Sequence, residues 1–416
     1  MNIRAPNSTV TANGRGYRFP TVPTVVVCID GSEPGYIERA VERGLAPNFE
    51  RLMRTGANLT AKSVVPSFTN PNNISIITGA PPAVHGIAGN YFYDPATGEE
   101  VMMNDARFLR ADTIMKAFHD AGAKVAVVTA KDKLRTLLGH GLDMASGRAI
   151  AFSSEKADQA SLPENGIDKA LAFVGMPLPD VYSAELSEFV LAAGVRILRT
   201  RRPDLMYLST TDYVQHKAAP GSEVANRFYA MLDRYVGELD AEDCVLALTA
   251  DHGMNDKHLA NGEPDVIYLQ DVFNAWLGPD RTRVILPITD PYVVHHGALG
   301  SFATVYLPDG ADVAAVLDKL RRLEGVELAL ARDEACRRFE LPPDRIGDVV
   351  VVSGRRKVLG TSRAKHDLSG LTEPLRSHGG LAEETVPMIV NRKVEPPAGR
   401  PLRNFDVFDV ALNLVR

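Results

Sequence analysis

Four short apolar runs constrain this chain more than anything else in it. They are "TVVVCID" (Thr24–Asp30), "KVAVVTA" (Lys124–Ala130), "PDLMYLST" (Pro203–Thr210) and "CVLALTA" (Cys244–Ala250). None alternates apolar with polar, so each reads as a strand buried on both faces. Helical patterns lie between them, at Asp112–Gly122, Ala184–Arg201 and Glu223–Leu239. In the first of these, Asp112 is the expected N-cap and Gly122 sits just past the end. Strands alternating with helices predict an α/β fold, a mostly parallel sheet sandwiched by helices.

At 416 residues the chain exceeds one small core. The texture changes after Asp251. From about Tyr292 to Gly360, strand-like "GSFATVYLP", "VELALA" and "GDVVVVSG" alternate with the helical stretch "DVAAVLDKLRRLEG" and a short helix at Arg332–Phe339. This predicts a small α+β cap inserted in the sheet domain. The expected division is a loosely ordered segment at 1–20, a core formed by 21–280 and 361–416, and a cap at 281–360. The strand "VPMIVN" (Val386–Asn391) and the helix "NFDVFDVALNLV" return to the core.

The net charge of −6 argues against non-specific nucleic-acid binding, which needs a broad cationic surface. Cys28, Cys244 and Cys336 show no CxxC spacing, and the first two sit inside apolar runs, so no disulfide is expected. The first 20 residues hold no apolar h-region, and no apolar run approaches the roughly 20 residues that span a bilayer. The expectation is a cytoplasmic protein with no nucleic-acid and no membrane partner.

Open α/β sheets bind ligands beyond the carboxyl ends of their strands. The residues there are Asp30, then Lys131 and Lys133, then Asp212 with His216 four on, then Asp251 and His252; His378 follows in the Gly-flanked "RSHGG". Any one of these acids is ordinarily a turn or cap residue, and Asp212/His216 alone is a plain helix pair. Their shared position at one end of one sheet is the argument. Three Asp and three His suit two metal ions, and mixed oxygen and nitrogen donors favour zinc. Two metals clamp an in-line displacement, as in phosphoryl or sulfuryl transfer. A nucleophile is offered by "PSFTNPNN", which leads into the apolar helix "ISIITG". Thr69 there would meet the positive end of a helix, and a metal would lower the pKa of its hydroxyl. Its bland role is as the helix N-cap.

Taken together, the strand-end Asp30, the Thr69 loop, "DYVQH", "DHG" and the late "HGG" resemble the alkaline phosphatase superfamily. "VPSFTNPNNISIITGAPPAVHGIAGNYFYDP" is similar to the nucleophile region of its nucleotide pyrophosphatase/phosphodiesterase branch. The resemblance runs from about Val22 to His252 and again near His378, and leaves out the cap. It implies an alkaline-phosphatase-like fold with two Zn2+ ions. One would be held by Asp30, Thr69, Asp251 and His252, the other by Asp212, His216 and His378. It also implies Asn90 as donor to a phosphoryl oxygen. "TAKDKL" is similar to the lysine pair of the phosphonoacetate-hydrolysing members, in which such lysines hold the substrate carboxylate. The implied reaction is zinc-dependent hydrolysis of phosphonoacetate to acetate and phosphate through a phospho-threonine. Its partner would be a small anionic phosphonate bound by Lys131, Lys133, Thr69, Asn90 and His216, and the assembly considered is a homodimer.

Two alternatives remain at this point. One is a zinc-dependent phosphodiesterase or nucleotide pyrophosphatase on the same scaffold, which needs an apolar or aromatic pocket for a base. The other is a phosphonate-binding protein without turnover. Of the other histidines, His85 reads as a loop support, and His366 lies on the return from the cap, where its approach to the site is left open. His295 and His296 lie near the cap boundary without an acidic partner.

Overall fold

The computed structural model describes residues 8–290, 297–397 and 399–416. Its centre is a seven-stranded sheet in the order Ala57–Lys62, Thr385–Val390, Val245–Thr249, Thr24–Cys28, Leu205–Ser209, Val125–Thr129, Ala149–Ser153. Only Thr385–Val390 runs against its neighbours. Every residue of the last five strands is buried, which is why their sequences are unbroken apolar runs.

The period of two along each strand divides the core. Val25, Val27 and Ile29 pack with the helices Glu185–Arg201 and Glu223–Asp240 on one face. Val26 and Cys28 face the other side, with Ile74, Ile76 and Ile77 of the helix Thr69–Thr78. That helix is buried from Pro71 to Thr78, so it is a core helix with little amphipathic character.

Register aligns the strand ends. Cys28 lies opposite both Thr249 and Ser209, and Ser209 lies opposite Thr129. The residues that follow, Asp30, Asp251, Asp212 and Lys131, therefore leave the sheet at one level.

A second, antiparallel sheet orders Arg283–Ile285, Phe302–Tyr306, Val349–Ser353 and Val326–Ala331, with helices Val313–Arg321 and Arg332–Phe339. Its apolar cluster includes Val65, Phe68 and Ala88, so the Thr69 loop is packed between both sheets.

Several sequence expectations change. Within the segment expected to be loosely ordered, Thr9–Ala12 and Arg15–Arg18 pair as a hairpin, because Val10, Ala12 and Tyr17 bury against the core. The helix at Ile114–Asp120 is capped by Thr113, whose hydroxyl accepts from Lys116 N–H; Asp112 instead lies 3.6 Å from the Lys116 ammonium. The C-terminal "NFDVFDVALNLV" is a 3₁₀ turn, a short α segment and a π turn rather than one helix. The edge strands Ala57–Lys62 and Ala149–Ser153 were not among the sequence-predicted strands. The three cysteines are unpaired, and no helix among the described residues is long and apolar enough to cross a membrane.

Candidate active site

The strand ends and the first turn of the Thr69–Thr78 helix open on one cleft of about 680 Å³. Phe68 is the N-cap of this helix and makes no side-chain cap bond, so the Thr69 hydroxyl is not spent on capping. Its Oγ1 lies 3.4 Å from His252 Nε2. His252 Nε2 is also 3.4 Å from Asp30 Oδ1 and 3.6 Å from Asp251 Oδ2. His216 and His378 present their Nε2 atoms to Asp212 Oδ2 at 2.9 and 3.7 Å. All six Asp and His residues named from the sequence are thus brought together, with Thr69.

Among the described residues two groups have the spacing of metal donors: Asp212, His216 and His378, and Asp30, Asp212 and His252. Asp212 belongs to both, whereas the resemblance assigned it to one metal. The fit to a cation is chemical. Asp30 Oδ1 is buried without a hydrogen-bond partner. No Lys or Arg ammonium or guanidinium among the described residues lies within 4.0 Å of Asp30, Asp212 or Asp251. Burial, then the charges of Asp212 and Asp251, push the Asp30 carboxyl well above the usual carboxylate range. Burial also works against charge on Asp212, but His216, then His378 and His252, hold its carboxyl well below that range. A bound cation would relieve the repulsion among these carboxylates.

The imidazoles are oriented from behind. His216 Nδ1 meets Arg376 O at 2.8 Å, His252 Nδ1 meets Gly253 O at 2.9 Å and His378 Nδ1 meets Ser67 O at 2.7 Å. A proton held on Nδ1 leaves the Nε2 lone pair for a metal. Burial, then its His252 and His216 neighbours, lowers the His378 pKa, which favours that neutral form.

Sequence reasoning missed the supports beneath. Asn73 donates to Asp251 Oδ2 and to Thr69 O, both at 3.1 Å, while its own oxygen accepts from Tyr207 and Ser209 at 2.7 and 2.9 Å. Asn72 closes the Val64–Phe68 loop onto the helix by accepting from Val64 N–H and donating to Phe68 O. Glu383 ties two histidine loops together. Its backbone oxygen accepts from Gly253 N–H, and its carboxylate from Gly380 N–H, Asn255 and the fully buried Lys257. The "NPNN" run was visible, but only the fold shows which amides point down. Gly31 is needed because a Cβ there would sit 2.8 Å from Asp212 Cβ, and its φ is +69°.

Asn90 lines the same cleft; its Oδ1 accepts from Asn70 N–H at 3.1 Å, which makes Nδ2 its side-chain donor. Lys131 and Lys133 line the same cleft, with Tyr182 and Asp290. Lys131 Nζ donates to Val181 O at 3.2 Å and lies 5.2 Å from the Tyr182 ring centroid. Lys133 Nζ meets both oxygens of Asp290, at 2.8 and 2.9 Å, a pairing the sequence did not foretell.

His85 is fully buried outside the cleft. Ile87 N–H donates to its Nδ1 at 3.2 Å, and its Nε2 meets Ser75 Oγ at 2.8 Å, so it braces the loop. His366 does not line the cleft; it accepts from Thr361 N–H at 2.9 Å and meets Gly297 O at 2.8 Å. His295 and His296 lie outside the described residues.

Comparison with known proteins gives a consistent picture. The sequence model of the type I phosphodiesterase/nucleotide pyrophosphatase family matches residues 24–381. Phosphonoacetate hydrolase from Sinorhizobium meliloti 1021, solved in complex with phosphonoformate and with phosphonoacetate, is 63% identical. The match covers 97% of this chain and 98% of that one, with a TM-score of 0.94. Murine ectonucleotide pyrophosphatase/phosphodiesterase 5 is 19% identical over 93% of each chain with a TM-score of 0.61, a likeness of fold. Among curated relatives, a Schizosaccharomyces pombe pyrophosphatase/phosphodiesterase is 25% identical over 60% of this chain. Human ectonucleotide pyrophosphatase/phosphodiesterase family member 1 is 27% identical over 57% of it. The matches cover 47% and 24% of those two relatives' own lengths. The chain belongs to the type I phosphodiesterase/nucleotide pyrophosphatase family.

Proposed function

We propose that this family member hydrolyses phosphonoacetate to acetate and phosphate, with Thr69 as nucleophile. One observation carries the reading: a single cleft is lined by Thr69, Asn90, Asp30, Asp212, His216 and His378 together with two lysines. Its 63% identity to a phosphonoacetate hydrolase supports it.

Asp30, Asp251 and His252 with Thr69, and Asp212, His216 and His378, would hold two Zn2+ ions. When bound, such ions lower the pKa of a coordinated hydroxyl and offset charge on phosphoryl oxygens. Thr69 Oγ1, deprotonated, attacks phosphorus in line, and the P–O bond forms as the P–C bond breaks. Asn90 Nδ2 donates to a phosphoryl oxygen that gains charge. The electron pair of the P–C bond moves onto carbon and spreads into the carboxylate as an enediolate. The ammonium of Lys131 stabilises that charge, and protonation at carbon yields acetate. Water then attacks the phospho-threonine and frees phosphate. The division into a core of 21–280 and 361–416 and a cap of 281–360 is part of the same proposal.

A phosphodiesterase reading draws on Tyr182 and Tyr213, whose rings lie 6.2 Å apart at the cleft and offer a surface for a nucleobase. The zinc-loaded enzyme is therefore to be assayed on phosphonoacetate and on a nitrophenyl nucleotide diester. Acetate and phosphate released in equal amounts from the first, with weak turnover of the second, is the expected outcome. The reverse ranking overturns the proposal. Thr69→Ala should retain metal yet lose at least ~10³-fold in kcat, as expected for removal of a nucleophile.

A further inference from the structure

The two cleft lysines are not equivalent. Lys133 is paired through both oxygens of Asp290, whose side chain is 16% exposed. Among the described residues no carboxylate lies within 4.0 Å of Lys131 Nζ, which has only the Val181 carbonyl and the Tyr182 ring face. Burial, outweighing the charges of Glu155, Asp212 and Asp290, lowers the Lys131 pKa. The neighbouring charges cancel in sum: Asp132 binds Arg135 at 2.7 Å and faces Lys156 at 3.7 Å, while Glu155, which accepts from Asp132 N–H at 2.7 Å, is the carboxylate acting most strongly on Lys131. Lys131, Lys133 and Asp290 together therefore leave one net positive charge among the described residues at this part of the cleft wall.

We propose that Asp290 is a specificity-determining residue: paired with Lys133, it restricts the distal group of the substrate to a single negative charge. The inference rests on the reading above, in which the substrate carboxylate meets these lysines. A carboxylate brings one charge and meets Lys131 directly. A second phosphoryl group brings up to two and meets the Asp290 carboxylate, which repels it. The device works by disfavouring the wrong ligand rather than by adding a contact to the right one.

The test compares calorimetric affinities of two probes, phosphonoacetate and methylenediphosphonate, for zinc-loaded Thr69→Ala protein with and without Asp290→Asn. Asp290→Asn should raise the affinity for methylenediphosphonate relative to phosphonoacetate by about tenfold, the scale of removing one like charge from a binding site. Adding Lys133→Ala should abolish most of that gain, because Asp290 acts on the charge of Lys133. An unchanged ratio refutes the proposal. So does a loss of affinity for both probes alike, which would make Asp290 only a prop for Lys133. Acetate release by the wild type is read in parallel. Its absence removes the catalytic reading, whereas acetate release with an unchanged ratio removes only the role of Asp290.

Discussion

Lys257→Met is the substitution whose consequence the structure fixes most sharply. Lys257 and Glu383 form an ion pair at 2.9 Å, and both side chains are 0% exposed. Lys257 Nζ also donates to Arg355 O at 2.8 Å. Methionine has similar length and no charge, so little space opens. The loss is electrostatic: Glu383 keeps Asn255 and Gly380 N–H as donors but has no cation. Breaking a buried pair by removing one partner costs about 3–5 kcal/mol. At ~2.1 cal/mol/K per residue, cooperative unfolding of 416 residues carries about 0.9 kcal/mol/K, so the melting temperature should fall by roughly 3–6 °C. The control is Arg39→Met, which removes an exposed pair of the same kind at 2.7 Å, 60% and 59% exposed. Such pairs contribute ~0–1 kcal/mol, so its melting temperature should move by about 1 °C or less. Because Glu383 joins the loops that carry His252 and His378, Lys257→Met should also weaken zinc binding by ~10–100-fold. Differential scanning fluorimetry and metal titration measure both. A shift no larger than that of Arg39→Met, with unchanged zinc affinity, would show that the pair neither stabilises the fold nor supports the metal site.

Two further outcomes follow from the same geometry. Lys131→Ala should raise KM for phosphonoacetate by ~10–100-fold, the worth of a charge-assisted hydrogen bond, while a neutral phosphate ester is little affected; equal losses on both would deny Lys131 its carboxylate. Burial, then Arg345, lowers the His85 pKa to about 3, from 6.5. The unfolded chain thus binds a proton below pH 6.5 that the folded chain refuses, so His85 costs stability as pH falls toward 3, by up to roughly 5 kcal/mol. His85→Gln should flatten melting temperature against pH between pH 6 and 4, and parallel curves for the two proteins would contradict this.

The parallel α/β core was legible in the chain itself, and so were the Asp and His candidates at its strand ends. Buried strands leave an unmistakable mark, since apolar residues must fill both faces of Thr24–Cys28 and its neighbours. Side chains two or three residues beyond such strands are placed by the backbone alone, so Asp30, Asp212 and Asp251 needed no tertiary knowledge. Propensity was a weaker guide at the edges. Ala57–Lys62 is half exposed and reads as polar loop, and the hairpin at Thr9–Arg18 forms only because the core receives Val10 and Tyr17. Tertiary structure alone decided the rest. Asn73 against Asp251, Glu383 against Lys257 and Asp290 against Lys133 join residues 178, 126 and 157 positions apart. Their side chains are individually ordinary for a turn or a helix start. What they do depends on which donor or charge the folded chain brings to them, and no local pattern carries that information.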